Sequence, residues 1–146
     1  MQDEGVARVQ KRASLRYEIL INADIDKIWK MIGDPLAIAS WFVGISSVSL
    51  EGNTRFIELG SGLRMPETIL TIDPVAHRFQ YRITIPTVKE HISTIDVIEV
   101  DEDRSLVIYS IDAEPANFGL IIGGAAGAAL ENLREILENK SAESEV

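Results

Sequence analysis

One stretch constrains this chain more than any other: a single long run of helical period, from about Ala116 to Glu138, that closes a succession of strand-period segments. At 1.5 Å per residue these roughly 23 residues form a rod about 34 Å long. Pro115 and Asn117 mark its start. Projected at 100° per residue, Phe118, Ile122, Ala126, Ala129, Leu133, Ile136 and Leu137 fall on one stripe, with Glu131, Arg134 and Glu138 on the far side. A sheet with one apolar face has to bury that face, and this helix is the only element large enough to cover it.

The segments before it alternate. Leu15, Tyr17, Ile19 and Ile21 take every second position, the period of a half-buried strand. The period then switches: Ile25, Ile28, Trp29 and Ile32 follow a candidate N-cap, Asp24, and end at Gly33, which predicts a short amphipathic helix. Asp34-Pro35 restarts the chain into a second short helix reaching about Ser40, followed by Trp41-Phe42. Beyond Val43, turn signals at Gly52-Asn53, Gly60-Ser61-Gly62, Asp73-Pro74, Pro86 and Asp101-Glu102-Asp103 divide about six further strands. The pattern is therefore α+β: about seven antiparallel strands, two short helices after the first, and one long C-terminal helix. Residues 1–13 are expected to form a flexible arm, 14–138 the domain, and 139–146 a disordered tail.

Composition excludes several functions. The net charge is −9, whereas nucleic acids and anionic membranes attract proteins through local positive charge; neither is an expected partner. No cysteine is present, which removes disulfides, thiolate catalysis and thiolate metal sites. The longest near-continuous apolar run, Phe118 to Leu130, is about 13 residues, too short to span a bilayer. With no secretory signal visible, a cytoplasmic protein without stable membrane insertion is expected.

Particular residues within this order carry a resemblance. They are Asp26-Lys27-Ile28-Trp29, the stretch from Asp34 to Trp41, the Gly52-Asn53-Thr54-Arg55 hairpin, and Glu67 ahead of Asp73. Tyr81 and Tyr109-Ser110-Ile111 complete the set. From about Leu15 to Leu137 the chain resembles the polyketide cyclase/dehydrase and lipid-transport family (the SRPBCC, START-like group), which more often has Trp at the position of Tyr109. The resemblance implies a helix-grip fold, a curved sheet wrapped around the long helix. It does not select among the cyclases, dehydratases, hormone receptors and carriers of that family.

Alternation alone selects the inward polar groups. If Tyr81, Ile83 and Ile85 face the helix, then His91, Ser93, Ile95 and Val97 face it from the next strand, and Val107, Tyr109 and Ile111 from the last. Met65, Glu67 and Ile69 share a face, and Arg55 lies across the hairpin within reach of Glu67. The candidate ligand-binding set is Trp41, Arg55, Met65, Tyr81, Ser93, Tyr109, Ile122 and Ala126, with Glu67 and His91 as candidate proton-transfer groups. A few convergent polar groups in an apolar chamber is the usual form of a small-molecule site. The same residues have structural readings. Arg55 and Glu67 can be an ion pair closing one end of the sheet, in which case Arg55 lowers the carboxyl pKa and weakens it as a proton donor. His91 can be a satisfied core histidine. Trp41 can be core or a flap over the chamber mouth, Trp29 is core on spacing, and His77, after a turn, is expected to be exposed.

Other chemistry is set aside. Ser93 and His91 stand two apart on one strand, about 6.5–7 Å by backbone rise, too far for a nucleophile–base contact. Two isolated histidines give no metal set, and no cofactor is implied. Gly119, Gly123, Gly124 and Gly127 each cost about 1 kcal/mol relative to Ala within a helix, so something must favour their lack of bulk. With Ala125, Ala126 and Ala129 inward, small residues leave room for a ligand. Alternatively, Gly119, Gly123 and Gly127 form a ridge on the other side for close approach by a loop or by a second subunit, a possible homodimer, or simply pack tightly. The function read at this stage is binding of a small hydrophobic molecule, or cofactor-independent cyclase, dehydratase or isomerase chemistry at the same place.

Overall fold

A computed structural model describes residues 11–145 of the chain, with side chains described for 11–139. The order is β1 (Ala13–Ile21), α1 (Ile25–Ile32), α2 (Ile38–Trp41), β2 (Ile45–Glu51), β3 (Thr54–Leu59), β4 (Arg64–Asp73), β5 (Arg78–Ile83), β6 (Glu90–Asp101), β7 (Arg104–Glu114) and α3 (Ala116–Glu145). All seven strands join one antiparallel sheet in the order β1-β7-β6-β5-β4-β3-β2, so only β1 departs from a simple meander. Register irregularities at Ile45/Ser47, Ile69/Thr71 and Glu99/Asp101 each break a ladder locally. An extra residue on one strand bends it and raises its twist, which is how a long sheet curls around a helix.

Local chemistry explains the short helices. The Asp24 side chain accepts a hydrogen bond from the Lys27 amide at 2.9 Å and caps α1. Gly33 ends it with ordinary right-handed angles. Glycine is needed there for room, because a Cβ would stand 2.5 Å from the Trp29 indole. Trp29 is only half-buried, its ring edge-on to His77 at 5.5 Å, and His77 is partly covered rather than exposed. The second helix is a single turn that buries Ile38 and Trp41.

The concave face holds the core: Ile21, Ile28, Ile57, Phe79, Ile95, Val107, Ile111, Leu130 and Leu133 are all essentially inaccessible. The convex face is polar along one cross-strand row, where Thr71 donates to Gln80 Oε1 at 2.8 Å and Gln80 donates to Thr94 at 3.0 Å.

The long helix lies closest to β1 and β7, and its glycines permit that approach. A Cβ at Gly119 would fall 2.7 Å from the Ala13 Cβ; at Gly123, 2.5 Å from Leu15 Cδ1; at Gly127, 3.3 Å from the Tyr17 ring. The ridge that suggested a second subunit is thus covered by the chain's own first strand, which settles the glycines' role as tight packing. Ala125 is exposed rather than inward, while Ala126 and Ala129 are buried. The ends differ too: Ala13, expected in the arm, is a buried strand residue, and the helix continues to Glu145 where a tail was expected. Residues 1–10 of that arm lie outside the described residues.

Candidate functional site

Strand register brings the inward polar residues together. Arg55 of β3 pairs with Glu67 of β4, and Glu67 in turn with Ile83 of β5. Tyr81 pairs with Ser93 of β6, and Ser93 with Ile111 of β7. Arg55, Glu67, His91 and Ser93 are 2%, 4%, 2% and 1% exposed, and Tyr81 and Tyr109 5% and 0%. These are interior groups, so each needs a partner.

Arg55 donates from Nε to Glu67 Oε1 at 2.8 Å and from Nη1 to the Pro35 carbonyl at 3.1 Å. Its Nη2 lies 2.7 Å from the same Oε1, but off the N–H direction. That approach is a charge contact, and it leaves the Nη2 hydrogens undirected. The guanidinium also stands over the Phe79 and Tyr81 rings, at 5.2 and 5.1 Å from their centroids. Burial raises the Glu67 pKa; Arg55 opposes it by charge and hydrogen bond without overcoming it. The expectation that the arginine would set the direction is therefore corrected: desolvation outweighs one counter-charge here.

His91 is the second correction. Its Nε2 is 2.7 Å from Ser93 Oγ, although their backbones are two residues apart. Backbone rise overestimates the separation because side chains on one strand face lean along it, and the imidazole bridges the gap. The contact runs the wrong way for a nucleophile. The Ile83 amide donates to His91 Nδ1 at 2.8 Å, so the ring proton sits on Nε2 and is donated to the serine. Burial first, and the Arg82 charge second, push the His91 pKa down to about 4, with Asp112 opposing. At neutral pH this is a neutral imidazole with both nitrogens engaged.

The tyrosine hydroxyls complete the cluster. Tyr81 and Tyr109 hydrogen-bond each other directly. Burial, above all, pushes Tyr81 up to about 12, with the Ser93 hydrogen bond among the opposing influences, and holds Tyr109 well above its ordinary value. Two hydrogen-bonded pairs, His91–Ser93 and Tyr81–Tyr109, thus lie side by side on paired strands, next to the Arg55–Glu67 pair. Among the other predicted residues, Met65 and Ile122 are half-buried and Ala126 is 1% exposed. Trp41 is core, 2% exposed, held by an Asn132 side-chain bond to its carbonyl at 2.9 Å. Its Nε1 has no partner among the described residues. Sequence reasoning missed the Pro35 carbonyl, and it missed Phe118, whose ring meets His91 edge-on at 6.1 Å. Phe118 stood on the helix stripe, but its partner was not legible there. Among the described residues no group of three or more His, Asp or Glu is placed to hold a metal ion, and no helix is long and apolar enough to cross a membrane.

A buried polar cluster on the concave face of a seven-stranded sheet, opposite a long C-terminal helix, can be compared with known proteins. Residues 12–142 match the family described as polyketide cyclase/dehydrase and lipid transport. The chain belongs to this family. Solved structures similar to it include the protein XoxI of Bacillus cereus, 22% identical, with a TM-score of 0.82 over 88% of this chain and 98% of that one. Norcoclaurine synthase of Thalictrum flavum, solved with dopamine and hydroxybenzaldehyde, is 13% identical, with a TM-score of 0.69 over 92% and 91%. At such identities the likeness is one of fold, and that fold is the helix grip. No curated protein matches the sequence.

Proposed function

We propose that this protein binds a small hydrophobic molecule between the concave face of its sheet and α3, oriented by the buried polar cluster. The observation that carries this reading is an interior donor, Trp41 Nε1, with no hydrogen-bond partner among the described residues, together with Arg55 Nη2, whose contact with Glu67 Oε1 at 2.7 Å lies off its N–H direction. Interior polar groups are normally satisfied, and a ligand oxygen is the natural acceptor for such orphans. The family's lipid-transport and cyclase members support the same class of guest, as does the fold's use by norcoclaurine synthase, whose structure holds two small aromatic molecules. The site is assigned to a small molecule rather than to nucleic acid or membrane, in a cytoplasmic protein. Native mass spectrometry, with extraction of the purified protein, tests it: a retained apolar molecule, or uptake of lipid, steroid or aromatic probes, is expected. A protein that is empty and takes up none of them contradicts it.

A second reading, proton-transfer chemistry of the cyclase, dehydratase or isomerase kind, is favoured by one observation, a carboxyl, that of Glu67, 4% exposed within the cluster, where burial raises its pKa. There Glu67 is the acid or base and Tyr109 holds an enolate oxygen, while His91, with both nitrogens engaged, acts by positioning Ser93. Turnover of a found substrate that survives both Glu67→Gln and His91→Ala contradicts this reading.

A further inference from the structure

The charges of the cluster restrict what kind of head group can enter. Arg55 is the one cation among the buried polar residues described, and its charge is neutralised by Glu67 at 2.7 and 2.8 Å. Its Nη1 is held by Pro35, and its central carbon stands over the neighbouring rings of Phe79 and Tyr81. Arg82, whose charge reaches His91, is exposed and binds the His91 carbonyl through Nε. His91 carries no positive charge in its Nε2–H tautomer, fixed by the Ile83 amide. A carboxylate or phosphate brought to this place meets no free counter-charge, and it meets the Glu67 carboxylate. Among the described residues the hydrogen bond to Glu67 comes from Arg55 and falls on Oε1, which leaves Oε2 able to accept. Arg55 Nη2 and Trp41 Nε1 are able to donate.

We propose that the ligand is a neutral molecule with an apolar body and a hydroxyl group, the hydroxyl donating to Glu67 Oε2 and accepting from an interior N–H, and that acids of the same shape are excluded. This deepens the binding reading above and rests on it. A like charge a few ångströms from a carboxylate in a low-dielectric interior is strongly disfavoured, whereas a hydroxyl satisfies donor and acceptor at once. The exclusion is built from Glu67, so removing its charge reverses it.

Matched pairs test this: 2-naphthol against 2-naphthoate, and 1-decanol against decanoate, titrated by calorimetry at pH 7.5 into wild type and Glu67→Gln. In wild type the hydroxyl compound of each pair is expected to bind at least tenfold more tightly. In Glu67→Gln, which leaves the Arg55 charge uncompensated, the ratio is expected to shift by at least tenfold toward the acid. Acids that bind wild type as well as the alcohols overturn the inference and leave the binding reading standing. Failure of all four probes to bind wild type overturns the binding reading, and this inference with it. If the variant does not fold, the wild-type ratios decide alone.

Discussion

Replacing Gly119 by Ala sets two effects of known size against each other. In a helix, Ala is favoured over Gly by up to about 1 kcal/mol. The new Cβ, however, would stand 2.7 Å from the Ala13 Cβ and 3.3 Å from the Ala113 Cβ. Neither neighbour has a rotamer to change, because each is a methyl carbon attached directly to a strand. Relief requires α3 to move away from β1 by several tenths of an ångström along a well-packed seam. Overpacking of this kind costs about 1–3 kcal/mol, so the net expectation is destabilisation of about 1–2 kcal/mol. For a chain this long that lowers Tm by roughly 3–6 °C. Gly124, five residues on, is the control. It is exposed, and a Cβ there meets nothing within 4 Å, so Gly124→Ala should gain about 0.5–1 kcal/mol. Gly123→Ala falls between them, since its closest neighbour is the end of the flexible Leu15 side chain. Chemical denaturation of the three variants checks the order. If Gly119→Ala and Gly124→Ala both stabilise, the close approach of α3 to β1 is wrong, and the glycines need another explanation.

Three further predictions follow from the cluster. Glu67→Leu should cost about 3–5 kcal/mol, and Arg55→Met measurably less, because a stranded carboxyl can take up a proton whereas a stranded guanidinium cannot lose one; equal costs in urea melts would contradict the pairing. His91 titrates at about 4 in the fold against 6.5 outside it, so the unfolded chain binds more protons between those values and stability falls as pH drops through that window. The loss attributable to His91 between pH 7.5 and 5 is about 2 kcal/mol. Glu67, with its raised folded pKa, contributes in the opposite sense, so the quantity to measure is the difference between wild type and His91→Gln; no difference in pH slope would refute a neutral buried His91. Tyr81→Phe and Tyr109→Phe should each cost about 1–3 kcal/mol by stranding the other hydroxyl, and the double variant should cost less than the two added together; strict additivity would mean the hydroxyls do not interact.

Much of the architecture was legible because strand alternation has a period of two. Fixing Tyr81 inward on β5 fixed His91 and Ser93 on β6 and Tyr109 on β7, and the hairpin register set Arg55 opposite Glu67. What depended on side-chain direction was not legible. The His91–Ser93 contact needs the lean of an imidazole along its strand, which residue spacing does not encode. The helix misled for another reason: between Phe118 and Leu130 it has no charged residue on any side, so periodicity could not separate the buried Gly119 and Gly123 from the exposed Leu120 and Ile121, 59% and 72% accessible. Trp41 was undecided because a large aromatic after a one-turn helix suits either core or flap, and only packing against α3 resolves it.

Whether the concave face receives a guest is tested most directly by locating one. Titration of 2-naphthol into isotope-labelled protein, followed by NMR, is expected to move the side-chain resonances of Trp41, Tyr81, Tyr109 and Ala126 together, with one saturation curve. Shifts confined to the outer face of the sheet, or none at ligand excess, would contradict an interior binding site.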